Sequence, residues 1–342
     1  MIRERIVPKT LLYFLIIGLL AMTSISCHKQ SNEVVVYTSV DQLFSEPILK
    51  AFERESGIKV RAIYDTEETK STGVLNRLLA EKENPQCDVF WSGDPMRVIV
   101  LKNEDISAPF HSDIADDISQ VYKDADGYWI GFSARARVLI YNKKVLNEVD
   151  VPQSIFDLSN EKYKGNFAIA NPLFGTTTFH FAALFSSLGN EKAKQFLADL
   201  KNNDVVIATS NGDVKKRVMN GEIACGLTDT DDAFEAMKES DEVGMLFLDQ
   251  KGMGSLIMPN TVSLIANAPH IANAKRLMNY ILSKETEAKL AVSCAQMPLH
   301  KGVKTPEGIS SLDHIVPMEI DYDRSSIKLE EIQKYLKEWV EN

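Results

Sequence analysis

Short apolar runs alternate with amphipathic segments at the start of the folded part, and this alternation restricts the possible folds. Residues 34–39 form an apolar run that ends in small polar residues, as buried parallel strands do. Residues 47–56 have helical spacing, and residues 58–64 alternate as a strand does. A helix at 72–83, a strand at 88–91 and a turn at 92–95 follow. This order predicts a doubly wound α/β sheet.

A second unit of the same kind is predicted further along the chain. Strands are expected at 167–170, 205–208 and 224–227 with helices between them, and another strand at 263–266. Residues 128–141 contain two extended segments, and long strands of this kind can cross between domains. About three hundred residues follow Cys27, which is enough for two domains with sizeable cores.

The N-terminal segment has the features of a secretory signal. Basic residues precede an apolar run at 11–22, which is shorter than the roughly 20 residues that span a bilayer. Small residues then precede Cys27 and resemble a lipobox, although Ser24 stands where Leu is usual. We expect residues 1–26 to be the signal peptide, and residues 27–33 to be a lipidated Cys27 and a polar tether. The alternative is an ordinary signal peptide with an incidental cysteine; in both cases the protein works in the periplasm or at the cell surface.

Composition and missing motifs exclude several functions. The net charge is −10 and no basic tract occurs, so nucleic acid is not an expected partner. If Cys27 is acylated, Cys87, Cys225 and Cys294 remain, which allows at most one disulfide. The sequence has no HExxH, GxSxG or P-loop motif, and no cofactor is expected.

Candidate ligand-binding residues follow the predicted strands, because ligands of doubly wound sheets bind beyond the carboxyl ends of the strands. In chain order they are Thr38, Ser39, Asp41, Ser92, Asp94, Gly175, Thr176, Thr177, Asp229, Asp231 and Asp232. Arg135 and Arg137 lie between the two units and point the same way if their segment is a strand. Their guanidinium groups suit a carboxylate or phosphate ligand, or an internal ion pair.

Two of these groups allow more than one reading. The stretch from Gly175 opens a helix, where free N–H groups attract an anion or Thr simply caps the helix. Asp229, Asp231 and Asp232 repel one another unless a hard cation or an ammonium group neutralises them. Alternatively, Asp231 caps a helix at 233–238 and the others are solvated.

Motifs along the mature chain resemble ABC-transporter solute-binding proteins of the ferric-ion-binding type. They lie at 36–39, 52–60, 88–92, 133–138, 220–222, 252–263 and 298–299. The resemblance implies a two-lobed periplasmic-binding fold, a membrane permease as partner and no catalysis. It also implies strand crossovers near Arg135 and Met253. The implied lobes are 34–135 plus 253–305, and 136–252 plus 306–342, in a protein expected to be monomeric.

The resemblance carries over to the ligand site only in part. The family's histidine falls at Asp41, its glutamate falls beside Asp94, and its paired tyrosines fall at Asp231 and Asp232. Arg135, Arg137 and Gly175 match the anion side. The implied cargo is therefore an iron-type metal ion on Asp41, Asp94, Asp231 and Asp232, with a synergistic anion.

Two alternatives remain. A small zwitterion such as 2-aminoethylphosphonate would place its ammonium group on the aspartates and its phosphonate on Arg135 and the Gly175 loop. In another class, residues 229–233 resemble the DxDx(T/V) nucleophile of haloacid-dehalogenase-type phosphatases, but the pattern fails at Ala233.

Overall fold

A mixed β-sheet organises the chain in the computed structural model, which describes residues 32–65, 73–305 and 307–341. The strands of this part are β1 (Glu33–Thr38), β2 (Lys59–Tyr64), β3 (Val89–Ser92), β4 (Ser107–Ala108), β5 (Ile130–Asn142), β6 (Phe167–Ala170), β7 (Val206–Ala208), β8 (Cys225–Asp229), β9 (Val243–Leu246) and β10 (Ile257–Ile265). The helices are α1 (Gln42–Ser56), α2 (Gly73–Ala80), α3 (Pro95–Asn103), α4 (Gly175–Leu188), α5 (Asn190–Asn202), α6 (Asn211–Met219), α7 (Thr230–Glu239), α8 (Ile271–Ile281), α9 (Lys284–Cys294) and α10 (Tyr322–Glu341).

The strand order is β2-β1-β3-β10-β5-β8-β6-β7, with β4 beside β10 and β9 beside β5. Residues 130–136 of β5 pair with β10, and residues 137–142 pair with β8 and β9. Strand β5 therefore joins a first half-sheet (β1 to β4 with β10) to a second half-sheet (β6 to β9). The parallel pairs of β1 with β2 and β3, and of β6 with β7 and β8, confirm the predicted α/β class.

The middle of β5 carries an irregularity at Ser133. The register against β10 shifts there, and Ser133 has a positive φ of 41°. Its N–H donates to the buried carboxylate of Glu287 over 2.7 Å. The same carboxylate accepts the backbone N–H groups of Leu299 and His300, so α9 is tied to the irregularity of β5, a few residues before the strand changes partners.

Several element boundaries differ from the sequence predictions. Helix α1 begins at Gln42 and contains Pro47, although its start was predicted there. The predicted turn at 92–95 leads directly into α3, with Pro95 in the first helical turn, where its missing N–H costs nothing. The predicted crossover near Met253 falls in the segment between β9 and β10.

Helix α10 packs against helices of both half-sheets. Trp339 lies 6.4 Å from Phe181 and Tyr335 lies 5.9 Å from Phe185, both on α4, measured between ring centroids. The hydroxyl of Ser326 donates to a backbone carbonyl of α3 over 3.5 Å. The residue bounds of the two lobes stay a prediction.

Two further sequence expectations concern the cysteines and the leader. Cys87, Cys225 and Cys294 are free and buried, so no disulfide joins them. Cys27, the signal peptide and most of the tether lie outside the described residues. Within the described part, none of the helices combines the length and the apolar character that crossing a membrane requires.

Candidate functional site

A cleft of about 940 Å³ lies where strands of both half-sheets end. It brings together ten of the residues predicted from sequence, namely Ser39, Asp41, Asp94, Arg135, Gly175, Thr176, Thr177, Asp229, Asp231 and Asp232. The remaining three lie outside its lining. Thr38 and Ser92 accept backbone N–H groups two residues ahead, and Arg137 is buried and donates to Asp229, which lines the cleft.

Five helices start at this cleft, because βα connections place helix N-termini beyond the carboxyl ends of strands. Asp41 precedes α1, and Asp94 caps α3 by accepting the N–H of Met96 over 2.8 Å. Helix α4 begins at Gly175, whose φ of 59° is in the left-handed region that favours glycine. Helices α6 and α7 begin at residues 211 and 230, and Asn211 and Asp231 line the cleft.

Helix α7 settles one of the alternatives raised by the sequence. It begins at Thr230, so its N-cap is Asp229, and the expectation that Asp231 caps a helix at 233–238 is wrong. Asp231 and Asp232 instead lie in the first turn, half-buried. The helix dipole stabilises carboxylates at this position.

Arg135 connects the two sides of the cleft. Its guanidinium donates to the carbonyl of Gly93 over 2.7 Å and lies 3.3 Å from Asp229 and 3.6 Å from Asp231. Position 93 has little room for a side chain, because a Cβ there would come within 3.2 Å of the Arg135 Nη2 atom. A residue of the crossover strand is thus held to both half-sheets.

Carboxylates surround this guanidinium and control its charge. Burial alone would lower the pKa of Arg135, but the charges of Asp231, Asp229, Asp41 and Asp94 raise it above its ordinary value. The arginine therefore stays charged, and its charge offsets part of the repulsion among the aspartates.

Asp229 is the most densely hydrogen-bonded carboxylate of the site. It is 1 % exposed and accepts from Arg137 Nη1 over 2.8 Å, from the Thr176 hydroxyl over 2.9 Å and from Asn211 Nδ2 over 3.2 Å, as well as from Arg135. Burial would raise its pKa, but Arg137 and Arg135 hold the pKa below its usual range. Asp229 is therefore an ionised group that orients both arginines.

The carboxylates of Asp229, Asp231 and Asp232 each place an oxygen within 4.8 Å of the others, which is compatible with one shared cation. Asp232 also accepts from the hydroxyl of Thr228 over 3.2 Å, and Asp231 accepts the N–H of Asp232. Asp229 is held by four donor groups, whereas Asp231 and Asp232 are less buried and also line the cleft.

Some cleft residues were not predicted from the sequence. Ser210 and Asn211 follow β7, so the rule that located the other candidates also applied to them. Leu43, Phe44, Phe174 and Phe234 also line the cleft, and no motif marked them.

Comparisons with known proteins agree with this architecture. Residues 48–316 match the model of a family described as bacterial extracellular solute-binding protein. Iron uptake protein A1 of Synechocystis is 26% identical over 294 residues, which cover 82% of this chain and 80% of that protein. A periplasmic protein of Salmonella typhi designated as 2-aminoethylphosphonate-binding is 28% identical over 295 residues, with 84% and 80% covered.

Solved structures show the same fold. Iron-bound HitA from Pseudomonas aeruginosa aligns with a TM-score of 0.81 at 22% identity, covering 89% of this chain and 99% of that one. The ferric binding protein from Campylobacter jejuni aligns with a TM-score of 0.80 at 21% identity, covering 90% and 99%. The described chain thus has a two-lobed periplasmic-binding fold.

Proposed function

Because this chain belongs to the bacterial extracellular solute-binding proteins, we propose that it captures an iron-type metal ion and delivers it to the permease of an ABC importer. The observation that carries the proposal is the placement of carboxylates in one cleft. Asp41 and Asp94 come from the first half-sheet, and Asp231 and Asp232 from the second. Hard cations prefer such oxygen ligands. Relatives named for iron uptake support the choice of metal.

A cation held between these two pairs also explains how capture leads to delivery. Differential binding to the closed arrangement would draw the two lobes together, by the hinge motion of periplasmic binding proteins. We assign residues 34–135 plus 253–305 to one lobe and residues 136–252 plus 306–342 to the other.

The test is thermal unfolding of the mature chain, from His28 onward, with Fe³⁺ supplied as its nitrilotriacetate complex, with Mn²⁺, with Ca²⁺ and with 2-aminoethylphosphonate. A ligand at 100 times its dissociation constant stabilises the folded state by about 2.7 kcal/mol. We expect a metal ion to raise the midpoint temperature of the unfolding transition. If the phosphonate alone raises it, the zwitterion is the cargo and the metal proposal is wrong.

A double variant tests whether the metal ion binds to the acidic turn, which is the first turn of α7 with Asp231 and Asp232. Asp231→Ala with Asp232→Ala should abolish the stabilisation by metal, because both carboxylates face the cleft. The matched control is Glu191→Ala with Glu285→Ala, which removes two exposed first-turn carboxylates outside the cleft. An unchanged metal response in the aspartate variant would reduce the acidic turn to a structural feature of α7.

The zwitterion remains the second candidate, supported by the Salmonella relative and by Arg135 beside the start of α4. A phosphatase activity is not proposed. Asp229, the nucleophile that the sequence pattern would require, is 1 % exposed and held by two arginines. Turnover of a phosphate ester with Mg²⁺ that is lost in Asp229→Asn would contradict this.

We further propose that the protein is a monomer tethered to the membrane by a lipid on Cys27. A lipid and a short polar linker would keep a receptor close to its permease. Labelling of cells with palmitate should mark the wild-type chain and leave Cys27→Ala unmarked. Equal labelling of both chains would argue against an anchor on this residue.

A further inference from the structure

We propose that the carboxylate of Asp229 acts as a built-in anion, so that the cargo binds as a cation without an accompanying exogenous anion. This inference rests on the proposed function and specifies the chemical class of its cargo. It departs from the expectation, implied by the family resemblance, of a synergistic anion on the arginine and threonine side.

The terminal guanidinium nitrogens and the hydroxyls that would bind such an anion already have partners inside the protein. Arg137 Nη1 donates to Asp229 over 2.8 Å, and the Thr176 hydroxyl and Asn211 Nδ2 donate to the same carboxylate over 2.9 and 3.2 Å. The second terminal nitrogen of Arg137 lies 3.4 Å from the hydroxyl of Thr177. These donors come from β5, α4 and α6 and converge on one side chain at the end of β8.

An exogenous anion would need to displace Asp229. The side chains of Asp229 and Arg137 are each 1 % exposed, so the contact between them is buried although Asp229 borders the cleft. Removing one partner of a buried ion pair leaves an uncompensated charge, which costs several kcal/mol in proteins. An internal carboxylate has no such cost and is always present.

The open part of the cleft disfavours an anion as well. Arg135 is the arginine that borders it, and Asp229 and Asp231 already lie 3.3 and 3.6 Å from its guanidinium. Seven carboxylates line the cleft against three cationic side chains, Arg135, Lys216 and Lys238. Like charges at short range repel an incoming phosphate or carboxylate and attract a cation.

The first test uses the wild-type mature chain. The affinity for a metal ion that stabilises it is measured by calorimetry in buffer free of phosphate and carbonate, then with inorganic phosphate or hydrogencarbonate added. We expect the affinity to change by less than about threefold, well under 1 kcal/mol. An increase of more than about tenfold on adding either anion would overturn the inference.

The second test opens the position of the internal anion. Asp229→Asn keeps the shape of the side chain and removes its charge. We expect inorganic phosphate to bind this variant about 10- to 100-fold more tightly than it binds wild type, because charged hydrogen-bond donors are released. Metal binding by the variant should then depend on phosphate, and metal binding that stays independent of phosphate would contradict the inference.

The two tests separate the inference from the function beneath it. If metal ions bind only together with phosphate or hydrogencarbonate, the built-in anion is wrong and metal capture stands. If metal ions bind under neither condition, metal capture itself is wrong. Should Asp229→Asn fail to fold, the wild-type titration still decides the inference.

Discussion

At the scale of single residues, the site depends on Asp229. Its charge is balanced by Arg135 and Arg137, and its oxygens connect the start of α4 with the start of α6. Breaking a buried pair from one side is more costly than breaking an exposed pair, because the remaining charge has no water around it.

Asp229→Ala is therefore expected to lower the free energy of unfolding by about 3–5 kcal/mol, since it leaves Arg137 buried without its carboxylate. Urea denaturation followed by circular dichroism measures this. Asp231→Ala is the control and should cost less than about 1 kcal/mol, because its carboxylate is 16 % exposed and partly hydrated, whereas that of Asp229 is 1 % exposed. Equal losses in the two variants would remove the special role of Asp229.

His180 on α4 gives a prediction for pH dependence. Burial, together with the charge of Arg137, lowers the pKa of His180 to about 3, although Asp229 acts in the opposite direction. The unfolded chain therefore binds a proton at His180 more readily than the folded chain does. The contribution of neutral His180 to stability is complete above the unfolded pKa of 6.5 and is lost as pH falls toward 3. His180→Gln should reduce the slope of the free energy of unfolding against pH by up to about 1.4 kcal/mol per pH unit between pH 6 and 4.

Chemical denaturation at several pH values gives the slope of the free energy of unfolding against pH for wild type and for His180→Gln. An unchanged slope in His180→Gln would mean that the histidine is hydrated in the folded state. His111, which is exposed, is the matched control, and His111→Gln should leave the slope close to that of wild type.

The sequence predicted where cleft residues lie better than what they do. Polar residues after strands are recognisable because strand ends define the cleft edge, and ten of these candidates line it. The bonding of Asp229 was not predictable, since Asn211 and Thr176 reach it only after α4 and α6 have packed. A carboxylate that binds cargo and one that orients arginines look alike in a sequence.

At the scale of elements, the irregularity of β5 at Ser133, a bulge in the strand, is stabilised by the buried carboxylate of Glu287. Glu287 accepts the N–H of Ser133 over 2.7 Å, that of Leu299 over 3.0 Å and that of His300 over 2.9 Å. No side-chain cation takes part in these bonds, so backbone amides compensate the charge. The carboxylate therefore holds the bulge of β5 within the first half-sheet, shortly before β5 changes partners.

Glu287→Gln should lower the free energy of unfolding by about 2–3 kcal/mol, because an amide NH₂ would face backbone donors in place of a charged acceptor. Chemical denaturation measures the loss. Glu285→Gln, exposed on the same helix, should change stability by less than about 0.5 kcal/mol. A small effect at position 287 would mean that other contacts hold the bulge.

Element prediction succeeded where a local pattern decides and failed where tertiary contacts do. The strand at 167–170 has the same bounds in the structure, because its apolar run is both short and flanked by polar residues. Helix α1 continues through Pro47 because Ser45, Ile48 and Phe52 are buried on the packed side, which outweighs the local cost of proline. Helix α3 was not predicted, because the residues Ser, Gly, Asp and Pro at 92–95 are also typical of a turn.

At the scale of the whole molecule, carboxylates of both half-sheets line the cleft, and β5 connects them. If a metal ion bridges the two sides, the molecule becomes more compact on loading. Small-angle X-ray scattering should show a smaller radius of gyration with metal than without it. The Asp231→Ala with Asp232→Ala variant should keep the same radius under both conditions, and compaction of that variant would place the metal elsewhere.

Helix α10 adds a mechanical consequence. Strand β5, the segment from β9 to β10, and α10 each reach both half-sheets, so at least three attachments join the halves in the described part of the chain. Twisting or sliding one half-sheet against the other would strain at least one of these attachments, whereas a hinge rotation would strain them least. The two half-sheets should therefore close along nearly the same path each time. Each closure should bring the carboxylate of Asp41 to the same position relative to the acidic turn of α7.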